Sequence, residues 1–587
     1  MKMSTLSLLA LLLTGAAYAQ PLFEKIETGP LVLPSTDSRS VNFVDVNNDG
    51  WEDLFITSGP QQGAFHLLYL NDGAGGYVKV TSGDIVTTLG PFDGATFADA
   101  DNDGDLDLMA VTWHNAPNFL YFGNGDGSFD HAESAAPSVG GTYSETAAWG
   151  DYNGDGLVDL YVTNSNGNDP NFLYRNNGNG NFQKVSSGPQ ATDARTSRSV
   201  NWVDFDNDCD LDLFVSNESS QFDDLYRNLG NGSFERVSAG APGQSPRSSM
   251  SSSWGDFDND GDLDLFVANS GFYVQQNNQL FRNEGDGAFT EIAAGELSAD
   301  GGCSYGSNFG DFDNDGDLDL VVSNGYCNGD IVNFLYLNDG QGNFSRDQQS
   351  IADLDTPCSY GVAWGDMDND GFLDLAFATC KNNSSAPLAK NLFYRNLGNG
   401  NNWLKVKPVG TIANRSAIGA KVWVTASIDG QEVTQMREIS AQSGYCGQNS
   451  LLAHFGLGNA TEAAEVRIQF RCGVDTVLTN IAAGQSIEVV EPLSTAVEEP
   501  SGSQGFRLEV SPNPANGEVR IELAADTPLP DRSLRLHDLS GRLVWERRLP
   551  ANGASTWSGS LSPAELGLPA GIFFLKFGEK VSRIVWY

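Results

Sequence analysis

The polar and hydrophobic positions of this chain repeat on a long period. Seven times an aromatic residue, one further residue and an Asp/Asn-rich loop are followed by an alternating run of the L-D-L-F-V kind. The loops begin at Asp45, Asp99, Asp151, Asp204, Asp256, Asp311 and Asp366, at separations of 54, 52, 53, 52, 55 and 55 residues. The aromatics two residues before them are Phe43, Phe97, Trp149, Trp202, Trp254, Phe309 and Trp364. The alternation after each loop predicts one strand, and a second run such as N-F-L-Y-R-N predicts another. A Gly-rich turn then leads to a closing aromatic: Tyr77, Phe129, Phe182, Phe234, Phe289, Phe344 or Trp403. Four strands in a unit repeated seven times predict an all-β fold, a seven-bladed β-propeller.

The phase of the repeat predicts how the ring closes. From each of the first six closing aromatics to the next first Asp there are 22 residues, and the same count links Phe23 to Asp45. Phe23 therefore reads as the last strand of a unit without a beginning, expected to join the last blade. The run from Trp403 is then free to open the next domain. Spacing varies only between each loop and its closing aromatic, so the variable connections are surface loops, expected on the face opposite the Asp loops.

Positions 1, 3, 5 and 9 of each loop carry Asp or Asn. The predicted metal ligands are Asp45, Asn47, Asp49 and Asp53; Asp99, Asp101, Asp103 and Asp107; Asp151, Asn153, Asp155 and Asp159; Asp204, Asp206, Asp208 and Asp212. The last three loops supply Asp256, Asp258, Asp260 and Asp264; Asp311, Asp313, Asp315 and Asp319; Asp366, Asp368, Asp370 and Asp374. Hard cations such as Ca²⁺ collect oxygens from carboxylates, amides and carbonyls, and Gly at position 6 lets the backbone turn around the ion. The expected cofactor is Ca²⁺, up to seven ions, in a structural role. The loops are not EF-hands, since the first has Ile56 where a bidentate Glu would stand. In the fourth loop Cys209 replaces the Gly, so metal binding there stays open.

Composition adds a charge of −43, from 33 Lys+Arg against 76 Asp+Glu. Such a chain lacks the basic footprint that nucleic acid requires. Twenty-six of those acids are the carboxylates of the 28 ligand positions, two of which are Asn, so the acidity records cations more than partners. Residues 1–19 read as a signal peptide, with Lys2, an apolar Leu6 to Leu13 and A-Y-A before Gln20. No later stretch is long and apolar enough to span a membrane. Seven cysteines would then meet an oxidising compartment. Cys303 and Cys327 flank their loop much as Cys358 and Cys380 flank theirs, which predicts those two disulfides across a hairpin. Cys446–Cys472 is the expected third, leaving Cys209.

The loops and their flanks resemble the FG-GAP/VCBS-type repeat, over roughly residues 20–402. That resemblance implies a seven-bladed propeller with Ca²⁺ in its loops. N-W-L-K-V-K-P-V-G from Asn402, S-G-Y-C-G-Q-N-S from Ser443 and E-V-R-I-Q-F from Glu465 are similar to the ASPIC/UnbV domain, a small β-rich domain over 403–490. Propeller plus this domain resembles the cartilage acidic protein family, which implies extracellular matrix or surface binding. After a polar linker (491–505), residues 506–587 resemble the C-terminal sorting domain of type IX secretion, through S-P-N-P-A, D-L-S-G-R and A-G-I-F-F. This implies a C-terminal β-sandwich, recognition by the type IX secretion machinery, and a protein secreted or held at the outer-membrane cell surface.

Two functions follow from different classes. The first is an adhesion or ligand-binding module for an extracellular glycan or protein, with exposed aromatics such as Trp113, Phe222, Phe272 and Tyr273 in the variable loops. The alternative is a polysaccharide lyase or hydrolase using the channel, where Asp93, Glu145, Arg39 and Arg198 each sit six residues before a loop. No G-x-S-x-G or H-E-x-x-H motif occurs, and no catalytic residue is assigned.

Overall fold

The computed structural model describes residues 21–492 apart from short internal segments, the longest being 349–356, and the strands and one short helix within 506–586. The expected signal peptide and all but the first two residues of the expected linker lie outside the described residues.

The repeats form seven sheets of four antiparallel strands each, and the sheet of the first blade gains a fifth strand from the second domain. In the first blade the strands are Ser38–Val44, Asp53–Ser58, Leu67–Asn71 and Tyr77–Lys79, and the Asp loop joins the first two. The seventh sheet takes its outer strand from the other end of the repeat region: Phe23–Lys25 pairs with Leu392–Asn396, Phe23 opposite Asn396. Trp403 opens the strand Asn402–Val409 of the second domain.

The aromatics before the loops pack between blades. Phe97 of the second blade lies 5.3 Å from Phe55 of the first and 6.3 Å from Phe129 of its own. Trp202 similarly meets Tyr152 and Tyr161 of the third blade and Phe234 of the fourth. Each ring removes apolar area from water on two sheets at once, so one residue per repeat joins neighbours.

Every innermost strand is seven residues long and carries a register shift near its start, such as that between Ser38 and Val41. A bulge re-aims side chains. Here it turns the second residue of each inner strand toward the axis, giving a ring of Arg39, Asp93, Glu145, Arg198, Met250, Tyr305 and Tyr360, all buried.

The second domain has a three-stranded sheet (Ala453–Gly458, Asn402–Val409, Gln485–Val490) and a four-stranded one (Gln431–Glu438, Lys421–Ile428, Glu462–Arg471, Val474–Ala482). It forms one compact unit with the propeller and sits on the Asp-loop face. From there residues 439–452 enter the channel. The strand Gly447–Gln448 pairs in parallel with the inner strand of the first blade, Val41 opposite Gly447. The remaining blades are engaged through polar atoms. Gln448 holds the N–H and C=O of Phe97, and the Asn201 amide donates to Gln442 O. Ser251 Oγ accepts from Tyr445 N, Asn449 reaches Asn308 and Trp364, and the Tyr445 hydroxyl meets Glu145. The channel is filled from within the chain, and Gly361 shows how tightly: a Cβ there would collide with the carbonyl oxygen of Cys446.

The cysteines require one correction. Cys303–Cys327 and Cys358–Cys380 are disulfides, but the third is Cys209–Cys472, not Cys446–Cys472. Cys446 is a buried free thiol in the channel, 3.6 Å from Asp93 Oδ1. Docking of the second domain brings Cys472 to the fourth Asp loop, a proximity that no sequence interval of 263 residues reveals.

The C-terminal unit, residues 492–587, is separate. Its strands form two antiparallel sheets, of three and four strands.

Candidate functional site

Each Asp loop is built by its own carboxylates. The position-1 Asp accepts the N–H groups of positions 5 and 6 in all seven loops, as where Asp256 accepts from Asp260 at 3.0 Å and Gly261 at 3.1 Å. The position-5 Asp accepts from N–H of position 7, and the position-9 Asp accepts from the end of the third strand, as Asp264 does from Asn283 at 2.8 Å. These bonds aim the remaining carboxylate oxygens inward.

In five loops the carboxylates converge so that one oxygen from each of three lies within 4.8 Å of the others. The groups are Asp99, Asp101 and Asp107; Asp204, Asp206 and Asp212; Asp256, Asp258 and Asp260; Asp311, Asp313 and Asp315; and Asp366, Asp368 and Asp374. The first and third loops carry Asn47 and Asn153 at position 3. The fourth loop keeps the arrangement despite Cys209, which takes the left-handed backbone of the missing glycine at φ 72° while its N–H still reaches Asp204.

The donor set suits a hard cation. The position-3 oxygens Asp206 Oδ1, Asp258 Oδ1, Asp313 Oδ1 and Asp368 Oδ1 are buried without a hydrogen-bond partner. Ionised carboxylate oxygens only accept, so a fully ionised cluster holds no donor of its own for them, whereas Ca²⁺ takes six to eight oxygens. Burial pushes Asp53 up to about 7, Asp107 to about 8, and Asp212 and Asp264 to about 9. Neighbouring carboxylates add to the rise.

Two columns of Asn lock the loops together, and sequence reasoning passed over both. At position 4, Asn48, Asn102, Asn207, Asn259, Asn314 and Asn369 adopt left-handed backbone, and each amide donates to the loop of the following blade, Asn48 to Asp105 Oδ1 at 2.7 Å. Gly154 stands in this column in the third loop. At the end of the third strand, Asn71, Asn176, Asn228, Asn283, Asn338 and Asn396 donate to a position-2 carbonyl of the preceding blade. Both columns are visible in the aligned repeats.

The second domain presents cations to this face. Lys405 Nζ lies 2.7 Å from Asp366 Oδ2 and 3.0 Å from Asn369 Oδ1, and Lys421 Nζ lies 2.9 Å from Asp204 Oδ2. Both pairs are buried, so removing one partner would strand a desolvated charge.

At the other end of the channel the four residues considered for catalysis do converge, all of them buried. Arg198 Nη1 donates to Glu145 at 2.6 Å and Nη2 to Glu218 at 2.7 Å. The Tyr445 hydroxyl donates to Glu145 at 2.5 Å and lies 2.7 Å from that of Tyr360. Burial, and then the charge of Glu145, push Asp93 up to about 8. Arg39 lies over the Tyr360 ring, 4.2 Å from its centroid. Of the aromatics expected on this side, Phe222 and Phe272 are exposed, while Trp113 and Tyr273 are half-buried.

Comparison with known proteins bears out the repeats and the second domain. Residues 45–322 match the FG-GAP-like repeat in five overlapping segments, and residues 410–496 match the ASPIC and UnbV domain. The chain is 29% identical to cartilage acidic protein 1 of Homo sapiens over 345 residues, 57% of this chain and 42% of that protein. It is 27% identical to the Mus musculus protein over 341 residues, 57% of this chain and 43% of that protein. The alignment thus spans less than half of each curated relative. Among solved structures, a fucose-specific lectin from Aleuria aurantia matches at TM-score 0.34 and 13% identity, over 55% of this chain and 99% of that one. SapL1 lectin in complex with alpha methyl fucoside matches at TM-score 0.33 and 10% identity, over 55% and 99%. Scores of this size carry no argument, and the propeller assignment rests on sheet order.

Proposed function

We propose that this chain is a secreted or cell-surface calcium-binding β-propeller that acts as an adhesion or ligand-binding module for an extracellular glycan or protein. The observation that carries the reading is the filled channel. Glu145, the best-placed carboxylate for acid–base work, is fully buried, and its Oε2 accepts from both Arg198 and Tyr445, which holds it in an ion pair rather than open to a substrate. Ca²⁺ in the Asp loops is structural, binding carboxylates that the fold has already desolvated. The second domain docks on the face carrying those loops, through Lys405 and Lys421, and the variable loops of the opposite face are left for the ligand. Three disulfides fit an oxidising compartment. No described helix is long and apolar enough to cross a membrane. The C-terminal unit serves as the type IX sorting signal, on the motifs at 511–515, 538–542 and 570–574.

Screening the purified chain in Ca²⁺ against arrays of glycans and matrix proteins tests the binding reading. Saturable hits are expected. Turnover of a polysaccharide, abolished by Glu145→Gln, would replace it with the lyase or hydrolase alternative. Deleting residues 506–587 should trap the protein inside the outer membrane, and unchanged export would remove the sorting assignment.

A further inference from the structure

The fourth Asp loop departs from the other six at position 6, and the second domain meets it there. Six loops have glycine at that position, with φ between 84° and 104°, whereas this one has Cys209 at φ 72°. Glycine adopts such a backbone freely, but a residue with a Cβ is strained in it. The disulfide to Cys472 holds Cys209 in place from the second domain. Position 6 is a bearing point of that domain elsewhere too: a Cβ on Gly156, Gly316 or Gly371 would run into Ile412 O, Ile428 or Trp403. At the fourth loop the contact is covalent, and two more residues of the second domain grip the same Asp. Lys421 Nζ lies 2.9 Å from Asp204 Oδ2, and Glu438 Oε2 accepts from Asp204 N at 3.2 Å.

This loop also has the largest unmet demand for a cation. In the first, second, fifth, sixth and seventh loops the N–H of position 2 donates to Oδ2 of the position-9 Asp. In the fourth loop that oxygen, Asp212 Oδ2, is buried without a hydrogen-bond partner, as is Asp206 Oδ1. Among the described residues no other loop has two orphaned carboxylate oxygens. Asp206 and Asp212 belong with Asp204 to the group whose oxygens converge within 4.8 Å. The disulfide beside them is open to attack from solvent, because Cys472 is exposed. Cys303, Cys327, Cys358 and Cys380 of the other two disulfides are all buried.

We propose that the fourth loop is a Ca²⁺ site shared by the two domains, its affinity set by the redox state of Cys209–Cys472. With the bond closed, Cys209 is already held in the conformation the loop needs. With the bond open the loop relaxes, Ca²⁺ must restore the strained backbone, and affinity falls about fivefold or more. By linkage, Ca²⁺ favours the closed bond by the same factor. A dithiol reductant opens it. One thiolate attacks the exposed Cys472 Sγ, and Cys209 leaves as a thiolate and takes up a proton. The reductant's second thiol then displaces Cys472, so the reductant ends as a cyclic disulfide and both cysteines as thiols. The proposal rests on the Ca²⁺-binding reading above and adds regulation of one site.

The test is calorimetric titration of the full chain with Ca²⁺, before and after dithiothreitol treatment that peptide mapping shows to have opened Cys209–Cys472 alone. The reduced chain should bind about fivefold or more weaker at one site and unchanged at the others. Asp206→Asn should remove that redox-sensitive site. Two double variants without the bond separate the backbone from the cross-link. Cys209→Ser with Cys472→Ser should reproduce the loss, while Cys209→Gly with Cys472→Ser should bind close to the parent and ignore dithiothreitol. In mixtures of reduced and oxidised dithiothreitol, half-opening the parent's bond should take about fivefold or more reductant in Ca²⁺ than in EGTA. That comparison decides the matter if the serine variant fails to fold. Equal affinities in the oxidised and reduced chains, equal affinities in the serine and glycine variants, or a midpoint indifferent to Ca²⁺ would overturn the proposal and leave the other loops as Ca²⁺ sites. No Ca²⁺ binding at any loop would overturn it together with the Ca²⁺ reading.

Discussion

Withdrawal of Ca²⁺ is the perturbation whose size follows most directly from the loops. Five loops bring three carboxylates within reach of one ion. Extracellular modules bind Ca²⁺ with dissociation constants of about 10⁻⁴ to 10⁻³ M, and a tenfold excess over that value adds about 1.4 kcal/mol per site. Five such sites add about 7 kcal/mol. The unit containing propeller and second domain ends at Glu491. For a body of that size the unfolding entropy is about 1 kcal/mol/K, so chelation with EGTA should lower Tm by about 7 °C. Differential scanning calorimetry with EGTA, then with Ca²⁺ or Mg²⁺ restored, measures this directly. The double variant Asp258→Asn, Asp313→Asn sharpens the test. Those Oδ1 atoms have no partner to lose, so the chelated variant should melt no lower than the chelated parent, while its gain from Ca²⁺ should shrink by about 3 °C. Superimposable curves with and without Ca²⁺, or a Ca²⁺ gain untouched by the double variant, would refute the reasoning.

Further outcomes follow from the same geometry. In EGTA, carboxylates raised to about 7–9 at Asp53, Asp107, Asp212 and Asp264 hold protons that the unfolded chain has released near pH 4. Their contribution is therefore present at low pH and lost as pH rises through those values, so Tm should fall from pH 6 to 9 in EGTA and flatten in Ca²⁺. A level profile in EGTA would contradict it. Asn228→Ala leaves the buried carbonyls of Tyr152 and Leu211 without a donor and should cost about 2–4 kcal/mol by chemical denaturation, against no measurable change if the clasp were idle. Peptide mapping without reductant should recover Cys209 joined to Cys472 and a single alkylatable thiol, Cys446, after unfolding; a Cys446–Cys472 peptide would reverse the pairing. Gly361→Ala should expel the channel segment and expose residues 439–452 to limited proteolysis, and a variant as resistant as the parent would show that the channel yields.

The chain's own repetition determined most of the ring. A period near 53 residues is a local property, because each unit supplies its own loop, its own hairpins and an aromatic that serves two blades. The Asp loops were legible for the same reason: all their ligands fall within nine consecutive residues, and the bonds that aim them run between near neighbours. The inner-strand ring was half legible, since its period placed Arg39, Asp93, Glu145 and Arg198 together without saying what would fill the space between them. Tertiary structure decided that. Tyr445 reaches Glu145 across 300 residues, Lys405 and Lys421 meet loops of two different blades, and Cys472 finds Cys209 rather than the closer Cys446. Such contacts depend on how one domain docks on another, a choice made by complementary shape and charge over a whole face, and no periodicity in either partner encodes it.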